Sequence, residues 1–137
     1  MIKNKKAFTI IELLIAAGVL VIAILTTAFC VLNLSDMNEL SREKTIALAD
    51  ADRVLESMRD TANNSLASLR TTDWTVWAAA NVINTKGANE IRLDQENAAV
   101  AFASPTDNPA QLTLTLNWSH KGRPYSYQVT TLLTDRT

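Results

Sequence analysis

No glycine or proline interrupts residues 19–86, no lysine or arginine lies between Lys6 and Arg42, and Cys30 is the only cysteine. Each absence excludes something. A lone thiol rules out an internal disulfide, so whatever follows residue 32 holds together by packing. Without helix breakers, a helix begun before Val19 has no local reason to stop for much of the chain. His120 is the only histidine and has no cysteine or carboxylate cluster beside it, which leaves no material for a zinc site and no visible serine–histidine–acid set. Calcium needs about six to eight oxygens, and neither Asp94 with Glu96 nor Asp107 belongs to a loop that supplies them. The expectation is a chain with no catalytic residue, no metal and no cofactor, and with His120 exposed in a turn.

Charge is also scarce. Charged residues make up 20% of the chain against 47% hydrophobic, and the formal net charge is −1. The 13 basic residues include Lys3, Lys5 and Lys6, so loss of the N-terminus leaves 10 basic against 14 acidic residues. A mildly acidic remainder lacks the basic face that phosphates require, and nucleic acid is not an expected partner. The length allows one compact domain beside an apolar segment.

That apolar segment occupies residues 8–32, broken only by Thr9, Thr26, Thr27, Gly18 and one acid, Glu12. It exceeds the roughly 20 residues needed to cross a bilayer. The lysines before it place the N-terminus in the cytoplasm and the remainder on the outer side. A cleaved secretory signal fits poorly, because the apolar run is too long and no small-x-small site follows. A lipoprotein signal fails at Phe29, which is too large for the position before Cys30. A generic anchor explains the hydrophobicity but not Glu12, since a carboxylate at a span's centre costs roughly 2.5–3.5 kcal/mol on insertion scales and usually marks a function.

The block KKAFTIIELLIAA resembles the N-terminus of proteins with a class III signal, the type IV pilins and the pseudopilins of type II secretion. The resemblance implies a leader at residues 1–7 and cleavage between Ala7 and Phe8 by a prepilin peptidase, which also methylates the new Phe8 amine. It makes Glu12 the fifth residue of the mature chain and the family's assembly glutamate. Two departures stand out: Ala7 replaces the usual glycine, and Phe29 stands where major pilins commonly carry a helix-kinking proline. The second departure points to a minor subunit.

After Leu32 the sequence turns polar without a break. Leu34, Met37 and Leu40 recur at spacing three, and the pattern resumes as Ala47, Leu48, Ala51, Val54, Leu55, Met58, Ala62, Leu66 and Leu69. These intervals describe an amphipathic helix with one apolar stripe. Asp50, Asp52, Arg53, Glu56, Arg59 and Asp60 are read as its solvated face, with Asp50–Arg53 and Glu56–Arg59 as i,i+3 pairs. Ser35-Asp36 with Glu39 beyond reads either as a helix start or as a loosening, and one long helix is preferred. Its end falls at Asn63-Asn64 or at Arg70-Thr71-Thr72. Residues 8–32 are thus the membrane half of the helix, 33–70 its amphipathic half, and 71–137 a C-terminal region.

In that region Asp73 is placed as the cap of a short helix carrying Trp74, Trp77, Ala78 and Val82 on one side. Thr85-Lys86-Gly87-Ala88-Asn89 reads as a turn. Residues 90–94 alternate as a short strand with Ile91 and Leu93 on one face, and 99–103 as a second with Val100 and Phe102 inward. The strongest signal is a hairpin: Leu112, Leu114, Leu116 and Trp118 alternate with polar residues, a glycine-containing turn follows, and Tyr125, Tyr127, Val129, Thr131 and Leu133 resume the alternation. A hairpin is marginal alone and needs a helix or further strands to cover it. The expected class is α+β, a long helix packed on a small antiparallel sheet.

The hairpin sequence LTLTLNWSHKGR and the helical ALADADRVLESMR resemble two related minor subunits, the I-type pseudopilin and the V-type minor pilin. The resemblance implies a non-enzymatic subunit that helps prime or cap a filament. Its partners are the peptidase, other minor and major pilins or pseudopilins through the N-terminal helix, and inner-membrane lipid before assembly. It also implies a single-pass inner-membrane location with a periplasmic C-terminal domain. Because Glu12 is present, the chain does not resemble the tip-most pseudopilin, which lacks that acid. The competing expectation is a single-span inner-membrane protein whose periplasmic domain binds a ligand or partner.

Overall fold

A computed structural model describes residues 9–87 and 90–134. Helix α1 (Ile10–Asn64) comprises 55 residues. Thr9 begins it by accepting the Glu12 N–H at 3.3 Å through Oγ1, a capping arrangement on the threonine–x–x–glutamate spacing. Helix continues through Ser35 and Asp36, so neither residue starts a new element. It stops at the first of the two candidate ends.

The chain divides into two compact units, Met1–Glu39 and Leu40–Thr137. In the first, every large apolar residue of segment 10–34 is exposed, between 54% and 81%. A helix apolar on all sides belongs inside a membrane or a protein core, and α1 is long and apolar enough to cross a membrane. The two threonines of its middle stay compatible with lipid because their hydroxyls donate back to the helix. Thr26 Oγ1 reaches Ile22 O at 3.0 Å and Thr27 Oγ1 reaches Ala23 O at 2.8 Å.

In the second unit the amphipathic stripe forms the core as expected. Ala47, Ala51, Val54, Leu55, Met58 and Ala62 of α1 are buried, whereas Leu48 lies outside the stripe at 42% exposure. Ser65 interrupts the helix and caps α2 (Leu66–Thr71) by accepting the Ser68 N–H. Asp73 caps α3 (Trp74–Ala78), accepting the N–H groups of Thr75 and Val76. Helix α3 runs into a π-helical turn, Ala79–Ile83. Trp74 is buried, donates from Nε1 to Leu69 O at 2.7 Å, and meets Trp77 with ring centroids 5.3 Å apart. The tryptophans thus fasten this segment to the core, as the sequence suggests.

Three antiparallel strands follow in the order β1-β2-β3: β1 (Asp94–Phe102), β2 (Ala110–His120) and β3 (Arg123–Leu133). The expected hairpin is present, closed by Lys121 and Gly122, both at positive φ (51° and 76°). Two left-handed residues give the turn whose twist suits adjacent strands. Leu112, Leu114, Leu116 and Trp118 face inward onto the α1 stripe, joined by Ala98 and Leu133. On the other face, threonine and asparagine pairs bond across strands, Thr113 with Thr130 at 3.0 Å and Asn117 with Asn97 at 3.1 Å.

The strand expected at 90–94 does not form. Residues 90–93 have no ladder, and pairing begins at Asp94 with a bulge between Asp94 and Asn97, where Gln95 takes φ 52°. The bulge resets the alternation that Ile91 and Leu93 suggested. Leu93 is buried and Ile91 is 37% exposed. The second expected strand is real and longer at its N-terminal end, with Val100 and Phe102 packed on the core.

Candidate functional site

Of the residues expected to matter, Ala7 and Phe8 lie outside the described residues. Glu12 sits in the first turn of α1 and is exposed. Among the described residues its carboxylate has no hydrogen-bond or ion-pair partner; only its backbone N–H is engaged, by Thr9. A carboxyl group on an otherwise apolar helical surface is the most chemically pointed feature of this unit.

The second unit holds two polar constellations that sequence reasoning missed. The first corrects the reading of His120. It is the last residue of β2, only 8% exposed, and not part of the turn. Its Nδ1 lies 2.9 Å from Glu43 Oε1, while Trp118 Nε1 donates to Glu43 Oε2 at 3.2 Å. One carboxylate of α1 therefore clasps two rings of the hairpin. Tyr125 completes the group, stacked on Trp118 at 6.0 Å between centroids and edge-on to His120 at 6.2 Å. The cluster continues the inward row of β2, so its position follows from the strand's period of two. Glu43→Ala leaves a buried indole N–H without its acceptor, and the expected loss is about 1.5–3 kcal/mol. Thermal unfolding followed by tryptophan fluorescence measures it, and Glu43→Gln, which keeps an acceptor, recovers part of the loss.

The second constellation corrects the reading of Asp50 as solvated and of Lys86 as a plain turn residue. Asp50 and Lys86 are 3% and 4% exposed. Lys86 Nζ lies 2.6 Å from Asp50 Oδ2 and 2.6 Å from Glu96 Oε2, and the Glu96 side chain is 2% exposed. The ammonium donates a hydrogen bond to Glu96. Its approach to Asp50 Oδ2 is close but off the hydrogen-bonding direction, so Oδ2 has an ion pair and no hydrogen bond; Glu96 Oε1 is also buried without one. Burial pushes the Glu96 carboxyl above its ordinary range, the Lys86 hydrogen bond and charge pull it back, and Asp50 adds to the rise through its charge and through a carboxyl–carboxyl hydrogen bond that forms when one of the two acids holds a proton. Arg92 Nη2 holds the Lys86 carbonyl at 2.7 Å. Arg53 lies 3.9 Å from both Asp50 and Glu90 at the exposed margin. A cavity of about 260 Å³ opens here, lined by Asp50 and Lys86 together with Arg42, Ile46, Arg53 and Ile91.

Three carriers of charge from three parts of the chain thus meet in a site almost closed to water. Asp50 comes from α1, Lys86 from the segment after the π-helical turn, and Glu96 from the bulged start of β1. Comparison with protein-family models, curated proteins and solved structures returns no match.

Proposed function

We propose that the chain is a non-enzymatic minor subunit of a type IV pilus or of a type II secretion pseudopilus, helping to prime or cap filament assembly. The observation that carries this reading is Glu12, the one acid in the all-round apolar segment 10–34 of α1 and exposed on its surface. It lies four residues from the expected cut before Phe8. The α+β outer unit, with a helix stripe covering a small antiparallel sheet, is compatible with a pilin-like fold and supports the reading without being specific to it.

In this mechanism the peptidase removes residues 1–7 and methylates the Phe8 amine. The subunit then waits in the inner membrane with its sheet unit in the periplasm. On assembly the apolar helices leave lipid and pack on one another. The Glu12 carboxylate pairs with a Phe8 amine, in its own or a neighbouring subunit, which offsets its desolvation and fixes axial register.

Intact mass tests the first step. Protein from cells with an active prepilin peptidase is expected to lack residues 1–7 and to carry one added methylene. Protein from peptidase-deficient cells retains the full sequence. A full-length mass in both strains refutes the reading and favours a plain single-span protein with a periplasmic binding domain.

A further inference from the structure

The Lys86 site has the composition of a self-modifying centre as well as of a buried ion pair. A primary amine lies 2.6 Å from an oxygen of one carboxyl, with a second carboxyl hydrogen-bonded to the same nitrogen. We propose that Lys86 and Asp50 condense to an intramolecular amide, Nζ to Cγ, with Glu96 carrying the protons. The inference does not depend on the filament reading.

The chemistry needs a neutral amine and a neutral acid side by side. In water both groups ionise and condensation stops. Here all three side chains are 2–4% exposed, so separated charges are poorly solvated. With Lys86 charged and both acids ionised the site carries one excess negative charge. Burial and the neighbouring Asp50 favour the protonated form of Glu96, and condensation starts from the state in which Glu96 holds a proton and the cluster has zero net charge. Passing one further proton from Nζ to Asp50 then gives an amine and two carboxylic acids without creating any new charge.

From that state the Nζ lone pair attacks Asp50 Cγ. The N–C bond forms and one C–O bond to a carboxyl oxygen breaks. Glu96 takes a proton from nitrogen on one oxygen and delivers its own to the leaving hydroxyl. The products are one amide, one water and Glu96 protonated as it began. Nothing is oxidised or reduced, and no co-reactant is required.

Two details of geometry favour this over a resting salt bridge. Nζ sits close to Asp50 Oδ2 but outside the hydrogen-bonding direction, so that contact is not held as a hydrogen bond. The Glu96 and Asp50 side chains are also within hydrogen-bonding reach of one another, which places a Glu96 oxygen beside the outgoing hydroxyl. The cavity lined by Asp50 and Lys86 gives the released water a way out. The bond would tie α1 to the segment before β1 in a chain whose single cysteine cannot make an internal disulfide.

Mass spectrometry of the full chain purified from membranes decides the matter. The expected result is a deficit of one water, mapped after trypsin to a branched product joining residues 45–53 to 71–92, with cleavage after Lys86 lost. Glu96→Gln keeps the side-chain shape but cannot relay the proton. The condensation slows by about a hundredfold, so the branched product falls to a trace while circular dichroism stays that of the parent. Separate, unbranched peptides from the parent protein, including one that ends at Lys86, overturn the proposal. So does a water deficit that maps elsewhere, as for a cyclised aspartyl residue. A branched product equally abundant in Glu96→Gln overturns the role given to Glu96.

Discussion

Lys86→Met lowers the stability of the sheet unit by about 3–5 kcal/mol at neutral pH, the range for removing one partner of a buried ion pair. The cause is what remains. Asp50 and Glu96 keep their burial but lose the Lys86 nitrogen that engages both, as a cation before condensation and as an amide to Asp50 after it. Small domains have about 5–15 kcal/mol in total, so the variant sits near unfolding. Denaturant titration of the detergent-solubilised chain, read by tryptophan fluorescence, reports on the right unit, because Trp74, Trp77 and Trp118 all lie in it. The effect depends on pH with a definite sign. A carboxyl whose folded pKa is raised holds its proton more tightly folded than unfolded. Its contribution is therefore full below the unfolded value of about 4.3 and is lost as pH rises through the folded value. In the parent protein this applies to Glu96; in the variant Glu96 has lost its cation and Asp50 keeps only Arg53, 3.9 Å away at the exposed margin. The gap between parent and variant widens from about pH 5 to pH 7.5. Adding Asp50→Asn and Glu96→Gln to Lys86→Met removes the stranded charges and restores most of the loss. A gap that is flat with pH, or a triple variant as weak as the single one, rules out buried charge as the cause.

Why this cluster escaped the sequence reading, while the fold around it did not, is a matter of period. The stripe from Ala47 to Ala62 and the inward leucines of β2 are legible because apolar residues recur at the spacing of the element that buries them. The same rule applied to polar residues finds part of the site. Asp50 follows Ala47 by three and precedes Val54 by four, so it stands on the stripe and not beside it. Glu43 lies four before Ala47, extending that stripe toward the N-terminus. His120 continues the row of Leu116 and Trp118, and Glu96 precedes Ala98, Val100 and Phe102 by the strand's two-residue step. Each is a charged or polar group in an inward register, a signal hidden when acids are assigned to the solvated face by type alone. Lys86 has no such signal. It follows a π-helical turn in irregular chain, and only the need of two buried acids for a cation points to it. Likewise, no residue type in the sequence announces the bulge at Gln95, at the start of β1.

Glu12 stands out in the sequence for the opposite reason, because it violates its surroundings. Glu12→Leu is expected to cut incorporation into filaments, or co-purification with partner subunits, by more than a hundredfold. The substitution leaves the sheet unit untouched, since Glu12 lies in the other unit and makes no side-chain contact of its own among the described residues. Under the proposed function the subunit waits in lipid before it assembles, and there the leucine is an improvement, sparing roughly 2.5–3.5 kcal/mol of insertion cost. Membrane levels of the variant therefore stay at or above the parent's. The loss appears only on assembly. There the Phe8 amine of one subunit enters the apolar packing without its carboxylate, and stranding one member of a buried pair costs about 3–5 kcal/mol. Since each 1.4 kcal/mol is about a factor of ten, that cost corresponds to a drop of about a hundredfold to several thousandfold. Glu12→Gln keeps the size and hydrogen-bonding capacity but not the charge, and falls between the two. This ordering separates charge pairing from packing: were helix packing alone responsible, leucine would assemble as well as glutamate or better. Normal incorporation of Glu12→Leu at normal membrane levels removes the assembly role from Glu12. Loss of the protein from the membrane would instead place its role in insertion, against the direction that the apolar span dictates.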